Sequence, residues 1–122
     1  MARILVIDDD EQVLQVLTSV LRRRGFDVVQ ANDGLAALRI LEATPIDLVI
    51  TDVVMPRMEG LETIRHLRAA GQTRIIAMSG SGSGIGYLDY LDYAEKLGAS
   101  ATFAKPFAPP EIVHAVEQLL AA

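Results

Sequence analysis

The sequence predicts an α/β fold, a doubly wound parallel sheet of five strands with five helices on both faces. Three observations predict it. Short apolar runs of four or five residues alternate, five times over, with stretches whose apolar residues recur at helical spacing. Such alternation implies crossovers and parallel strands, and right-handed connections then leave a doubly wound sheet. Asp8, Asp52, Ser79 and Lys105 each follow one of the runs at once. Ligands of such sheets sit beyond the carboxyl ends of the strands.

Arg3 to Ile7 reads as the first strand, followed by Asp8, Asp9, Asp10 and Glu11. Val13, Val16, Leu17, Val20 and Leu21 then recur as one face of a helix, with Gly25 as its stop. Arg22, Arg23 and Arg24 crowd its carboxyl end, where cations suit the macrodipole; a docking site is the alternative. Asp27 to Ala31 is a more polar second strand, expected at an edge, and Asn32-Asp33-Gly34 is a turn. Leu35, Leu38 and Leu41 space a short second helix that ends before Pro45. Leu48 to Thr51 is an apolar third strand, buried on both faces, that delivers Asp52, and a turn runs from Met55-Pro56 to near Gly60. Leu61, Ile64 and Leu67 space a third helix that stops around Gly71. Arg74 to Met78 is the fourth strand, and 79–86 has the composition of a flexible loop. Leu88, Leu91 and Ala94 place a fourth helix before Gly98, and Ala101 to Ala104 is a weak fifth strand followed by Lys105-Pro106. Ile112, Val113, Val116, Leu119 and Leu120 line a last helix opened by Pro109-Pro110.

A chain of 122 residues fits a single domain spanning 1–122, long enough to bury a core without metals or disulfides. The absence of cysteine removes thiolate and disulfide chemistry. A net charge of −5 and a pI near 4.9 argue against direct nucleic-acid binding, which needs a basic face. The first apolar run is too short for a signal peptide, and no window approaches a membrane span. A soluble cytoplasmic protein without membrane contact is expected.

If strands one and three are neighbours, about 4.8 Å apart, Asp8, Asp9 and Asp52 share one cleft. Three carboxylates repel, so one takes a proton or a cation enters. A hard divalent ion such as Mg²⁺ suits oxygen ligands and keeps waters that phosphate oxygens can replace. Lys105 adds a second positive centre and Ser79 a hydroxyl. Carboxylate nucleophile, Mg²⁺, ammonium and hydroxyl are the parts of in-line phosphoryl transfer. Each residue also has an ordinary reading: Asp8 to Asp10 as a helix N-cap, Asp52 as a turn former, Ser79 as a loop residue, Lys105 as a strand end. Their meeting on one predicted edge favours the site.

The pieces ILVIDDD, ITDVVMPRMEG, IIAMSG and FAKPF together resemble the receiver domain of bacterial two-component response regulators, and the resemblance covers the whole chain. It implies the flavodoxin-like strand order 2-1-3-4-5. It implies Asp52 as the phosphoacceptor, and Asp8, Asp9 and Asp52 with the Val54 backbone carbonyl as Mg²⁺ ligands. Asp10 would not be a direct ligand. Ser79 would turn its hydroxyl toward the phosphoryl group, Lys105 would pair with a phosphoryl oxygen, and Lys105-Pro106 would be a commonly cis bond. The resemblance further implies a sensor histidine kinase or histidine phosphotransfer protein as donor and no activity beyond the domain's own phosphorylation and dephosphorylation. Output by a stand-alone domain would be contact with an unnamed protein through the fourth helix, fifth strand and fifth helix, onward phosphotransfer, or a phosphorylation-dependent dimer.

The sequence departs from the family pattern at three places. Thr102 stands where an aromatic switch is common, and strand alternation turns Phe103 to the other face. Val54 is apolar where a polar side chain could orient water, which predicts slow self-dephosphorylation that Val54→Asn should accelerate. The Gly/Ser loop 80–86 is long, and is read as a linker or as an element that Ser79 orders. Tyr87, Tyr90 and Tyr93 cannot all face the core, while His66 and His114 read as surface residues. The rivals are a receiver-like scaffold that is never phosphorylated and a Mg²⁺-dependent aspartyl phosphohydrolase, which usually carries an acid at the position of Val54.

Overall fold

In the computed structural model, which describes residues 1–53, 60–72, 74–79, 94–96, 98–105 and 107–121, five strands form one sheet. They are β1 (Arg3–Ile7), β2 (Asp27–Ala31), β3 (Leu48–Asp52), β4 (Ile75–Ser79) and β5 (Ala101–Ala104). All neighbours are parallel and the order is β2-β1-β3-β4-β5. The helices are α1 (Glu11–Arg23), α2 (Gly34–Ala43), α3 (Gly60–Ala69), the described part of a fourth at 94–96 (α4), and α5 (Pro109–Ala121). The expected turn from Met55-Pro56, the Gly/Ser loop, Tyr87, Tyr90, Tyr93, Leu88, Leu91 and Pro106 lie outside the described residues.

Alternation along the strands builds two cores. Ile4, Val6, Leu48, Ile50, Ile76 and Met78 face α1 and α5, where they meet Leu17, Leu21, Ile112 and Val116. Leu5, Ile7, Val49, Ile75 and Ala77 face the other way, onto Ala37, Ile64, Leu67 and Ala94. Each fully buried Leu or Ile contributes about 1.5–3 kcal/mol. The central strands β3 and β4 are buried at all five positions, whereas the edge strands β2 and β5 are half-buried. β4 lies one residue later than Arg74 to Met78, because Met78 and Ser79 keep strand pairing. Their carbonyls accept from Val53 N (2.8 Å) and Lys105 N (2.7 Å).

The helix faces differ from the spacing in two places. The buried stripe of α1 is Leu14, Leu17, Thr18 and Leu21; Val16 is 46% exposed, and Val13 and Val20 are half-buried. The apolar doublets Val13-Leu14, Val16-Leu17 and Val20-Leu21 fit two stripes one residue apart, about 100° around the helix. The larger leucine of each pair takes the core. In α2 the buried centre is Ala37, flanked by Ile40 and Leu41, and Leu35 is 46% exposed in the first turn. A small residue there lets the helix approach the sheet closely. Asp33, read as part of a turn, is the N-cap of α2, its Oδ1 accepting from Ala36 N at 2.8 Å. Gly98 has φ +118°, a backbone conformation that favours glycine; a Cβ there would meet only the end of the flexible Arg68 side chain.

Candidate functional site

The same alternation that sorts the core builds the site. Ile7 pairs with Thr51 across β1 and β3, so Asp8 and Asp52 follow side by side. Asp8 continues the series Ile4, Val6, and Asp52 the series Leu48, Ile50. Lys105 continues Ala101, Phe103, and all three series face α1 and α5. Three ionisable groups from three strands thus share one side of one rim. Ser79 has the opposite parity, and its residue pairs with Ala104.

Asp8 is held on both sides. Its backbone N donates to Ala31 O at 3.1 Å, and its Oδ1 accepts from Asp10 N at 2.9 Å. Asp10 turns outward as the N-cap of α1, its Oδ1 accepting from Gln12 N at 2.9 Å. Lys105 Nζ donates to Asp8 Oδ2 at 2.6 Å and to Asp52 Oδ2 at 3.3 Å. Asp8 is fully buried, Asp52 nearly so, and Lys105 is 16% exposed. Burial pushes the Asp8 carboxyl up, and the Asp9 charge adds to this. The hydrogen bonds from Lys105 and Asp10 N pull it down without cancelling the effect. Burial works against the Lys105 ammonium, but its hydrogen bond to Asp8 and the charges of Asp52 and Asp8 outweigh that cost and hold it above the usual lysine value.

Carboxylate oxygens of Asp8, Asp9 and Asp52 lie within 4.8 Å of one another. Ser79 Oγ is buried and has no hydrogen-bond partner among the described residues. Thr102 is half-buried and pairs with Ala77, while Phe103 packs in the α1/α5 core, the side that strand alternation predicts for it. Val54 lies outside the described residues. The short Lys105–Asp8 bond was missed by spacing: the sequence motifs pair Lys105 with a phosphoryl oxygen at Asp52. Alternation places 8 and 105 on one side, but β3 and β4 separate their strands, so the contact depends on the reach of the lysine side chain and has no signal in the spacing.

A family model described as response regulator receiver domain matches residues 4–117. The chain belongs to this family. The receiver domain is 36% identical over 120 residues to the transcriptional regulatory protein CpxR of Escherichia coli K12, covering 98% of this chain and 50% of that protein, and so spans about half the length of that relative. It is 34% identical over 119 residues to the sporulation initiation phosphotransferase F of Bacillus subtilis, covering 97% of this chain and 93% of that protein. Among solved structures it is similar to a response regulator receiver domain protein from Clostridium thermocellum. That match has TM-score 0.86 and 31% identity, and covers 99% of this chain and 95% of that one. It is also similar to the chemotaxis response regulator CheY4 of Vibrio cholerae, with TM-score 0.85 and 28% identity, covering 98% and 99%.

The acidic group of this receiver domain fits a small divalent ion. Oxygens bound at about 2.1 Å to one Mg²⁺ stand at most about 4.2 Å apart. The observed 4.8 Å limit therefore needs only a small contraction, or one bridging water. Among the described residues, three carboxylates stand beside one ammonium and leave negative charge that such an ion would balance. Among the described residues no helix is long and apolar enough to cross a membrane.

Proposed function

We propose that this receiver domain is a phosphorylation-driven switch or relay whose acceptor is Asp52. One observation carries the reading. The Asp52 carboxylate ends a buried central strand, within reach of a lysine ammonium at 3.3 Å and grouped with the Asp8 and Asp9 carboxylates. The donor is a phosphohistidine of a histidine kinase or phosphotransfer protein. An Asp52 oxygen forms the new bond to phosphorus as the phosphorus–nitrogen bond breaks, and the histidine nitrogen leaves with the electron pair. Asp8, Asp9 and Asp52, with the Val54 carbonyl, would hold Mg²⁺, which supplies charge neutralisation for the phosphoryl oxygens. Lys105 is positioned to move its hydrogen bond from carboxylate to phosphoryl oxygen. The orphaned Ser79 hydroxyl gives a buried donor that an acyl phosphate on Asp52 would satisfy. The Bacillus relative, a phosphotransferase by name and matched over 93% of its length, supports a relay role. Output is contact with another protein.

Intact mass after incubation with acetyl phosphate tests the reading. One phosphoryl adduct that requires Mg²⁺ and is absent in Asp52→Asn is expected. An adduct that survives in Asp52→Asn overturns the assignment of the acceptor.

A further inference from the structure

The arginine run at the end of α1 has a structural context that the phosphoryl site does not use. Gln15, Thr18, Ser19, Arg22 and Arg23 share one flank of α1 and, with Gln30 of edge strand β2, line a concavity of about 470 Å³. That volume is in the usual range for small-molecule sites, about 300–1,000 Å³. Among the described residues its lining includes no carboxylate, although the chain carries 16 acidic against 11 basic residues.

The floor is rigid. Gln30 Nε2 donates to Thr18 Oγ1 at 2.6 Å and to Leu14 O at 3.4 Å, and Thr18 is buried on the core stripe of α1. Arg22 is oriented as well. Asp27 N and Ala31 O bond toward β1, so the alternate carbonyl of Val28 points to the free edge, where Arg22 Nη2 donates to it at 3.3 Å. That bond uses one of five guanidinium donors. Arg24 is paired with Glu117 at 3.4 Å, whereas Arg23 makes no ion pair among the described residues. The carboxyl end of a helix carries about half a negative charge. Two guanidinium groups exceed it, so the concavity stays positive.

We propose that this α1/β2 concavity binds a phosphate monoester, with Arg22, Arg23 and the Ser19 hydroxyl on the phosphate. Gln15 and the Gln30 amide oxygen would contact the polar group it esterifies. Guanidinium donors match phosphate oxygens in pairs, and the volume exceeds what bare phosphate fills. The ester is either a free sugar phosphate or an inositol phosphate headgroup in a membrane.

Amide chemical-shift titration of the full chain at constant ionic strength tests this, with glucose 6-phosphate as probe and chloride as control. Saturable shifts at Gln15, Ser19, Arg23 and Gln30 are expected, with affinity falling about tenfold or more in Arg23→Gln. Arg23→Gln leaves the Arg22–Val28 edge bond in place, so a loss of binding is not a loss of the strand edge. Co-sedimentation with phosphatidylcholine vesicles, with and without a phosphatidylinositol phosphate, assigns the source. Soluble binding alone indicates the free ester, and Arg23-dependent vesicle binding indicates the headgroup. Shifts that follow chloride, that stay at the Asp8–Asp52 rim, or that persist in Arg23→Gln overturn the proposal, as does no binding in either arm.

Discussion

Lys105 Nζ and Asp8 Oδ2 stand 2.6 Å apart at the carboxyl-end rim of the sheet, and Arg3 Nε and Asp27 Oδ2 stand 2.6 Å apart at its amino-end rim. The first pair is 16% and 0% exposed; the second is 38% and 45% exposed. Water screens the exposed pair and would solvate either partner alone, so it contributes about 0–1 kcal/mol. The buried pair cannot be judged by its length. Its charges have lost their water, and either one left alone becomes expensive. Distance thus says where charges are, and burial says what they are worth. Of these two pairs, the costly one stands at the rim where chemistry is proposed and the cheap one at the opposite rim.

The largest expected effect comes from stranding the buried carboxylates. Lys105→Met should destabilise the metal-free domain at neutral pH by about 3–5 kcal/mol in urea unfolding. Mg²⁺ should restore part of the loss, and a loss no larger than that of an exposed pair would break the comparison.

Asp8→Asn should act in the other direction, because Lys105 is not left alone but keeps Asp52 at 3.3 Å. Because burial raises the Asp8 carboxyl, its ionised form costs more in the fold than in the unfolded chain, and the metal-free variant should melt at a higher temperature at neutral pH. The sign follows from proton binding. As pH falls through the raised folded value, wild type takes up a proton and regains stability, completing the gain below the ordinary value of 3.8. The melting difference between variant and wild type should therefore shrink on acidification. Lys105 behaves oppositely: its stabilising contribution is full below 10.5 and disappears as pH rises through its raised folded value. With saturating Mg²⁺ the order should reverse, since the variant lacks a ligand carboxylate.

The smallest effect is expected at the other rim. Arg3→Ala should cost no more than about 1 kcal/mol, and the cost should fade as salt is added. A cost comparable to that of Lys105→Met would mean that exposure does not separate the two pairs.

Much of this was legible in the sequence, for identifiable reasons. Strands whose runs are apolar throughout, such as Leu48 to Thr51, announce themselves as central, and β2, with Asp27 and Gln30, announces an edge. The grouping of Asp8, Asp9 and Asp52 follows once β1 and β3 are neighbours. The helix faces were less legible. Doublets such as Val16-Leu17 satisfy two stripes at once, and only packing volume assigns Leu17 to the core and Val16 to the surface. Asp33 has the sequence signature of a turn because the residues that cap helices are those that make turns. Thr18 and Gln30 were invisible as a pair, because their contact joins elements 12 residues apart through side chains with no periodic signature.

The shared parity of positions 8, 52 and 105 ties the location of the reactive rim to the packing of the interior. A single residue inserted between Leu48 and Ile50 would send that carboxylate to the α2/α3 side and, in the same stroke, turn Ile50 out of its layer. The interior therefore works as a ruler for the chemistry. The acidic rim can vary in the kinds of side chains it holds, but it cannot be re-aimed by small insertions in the strands without unpacking the domain. Changes in length are left to the connections.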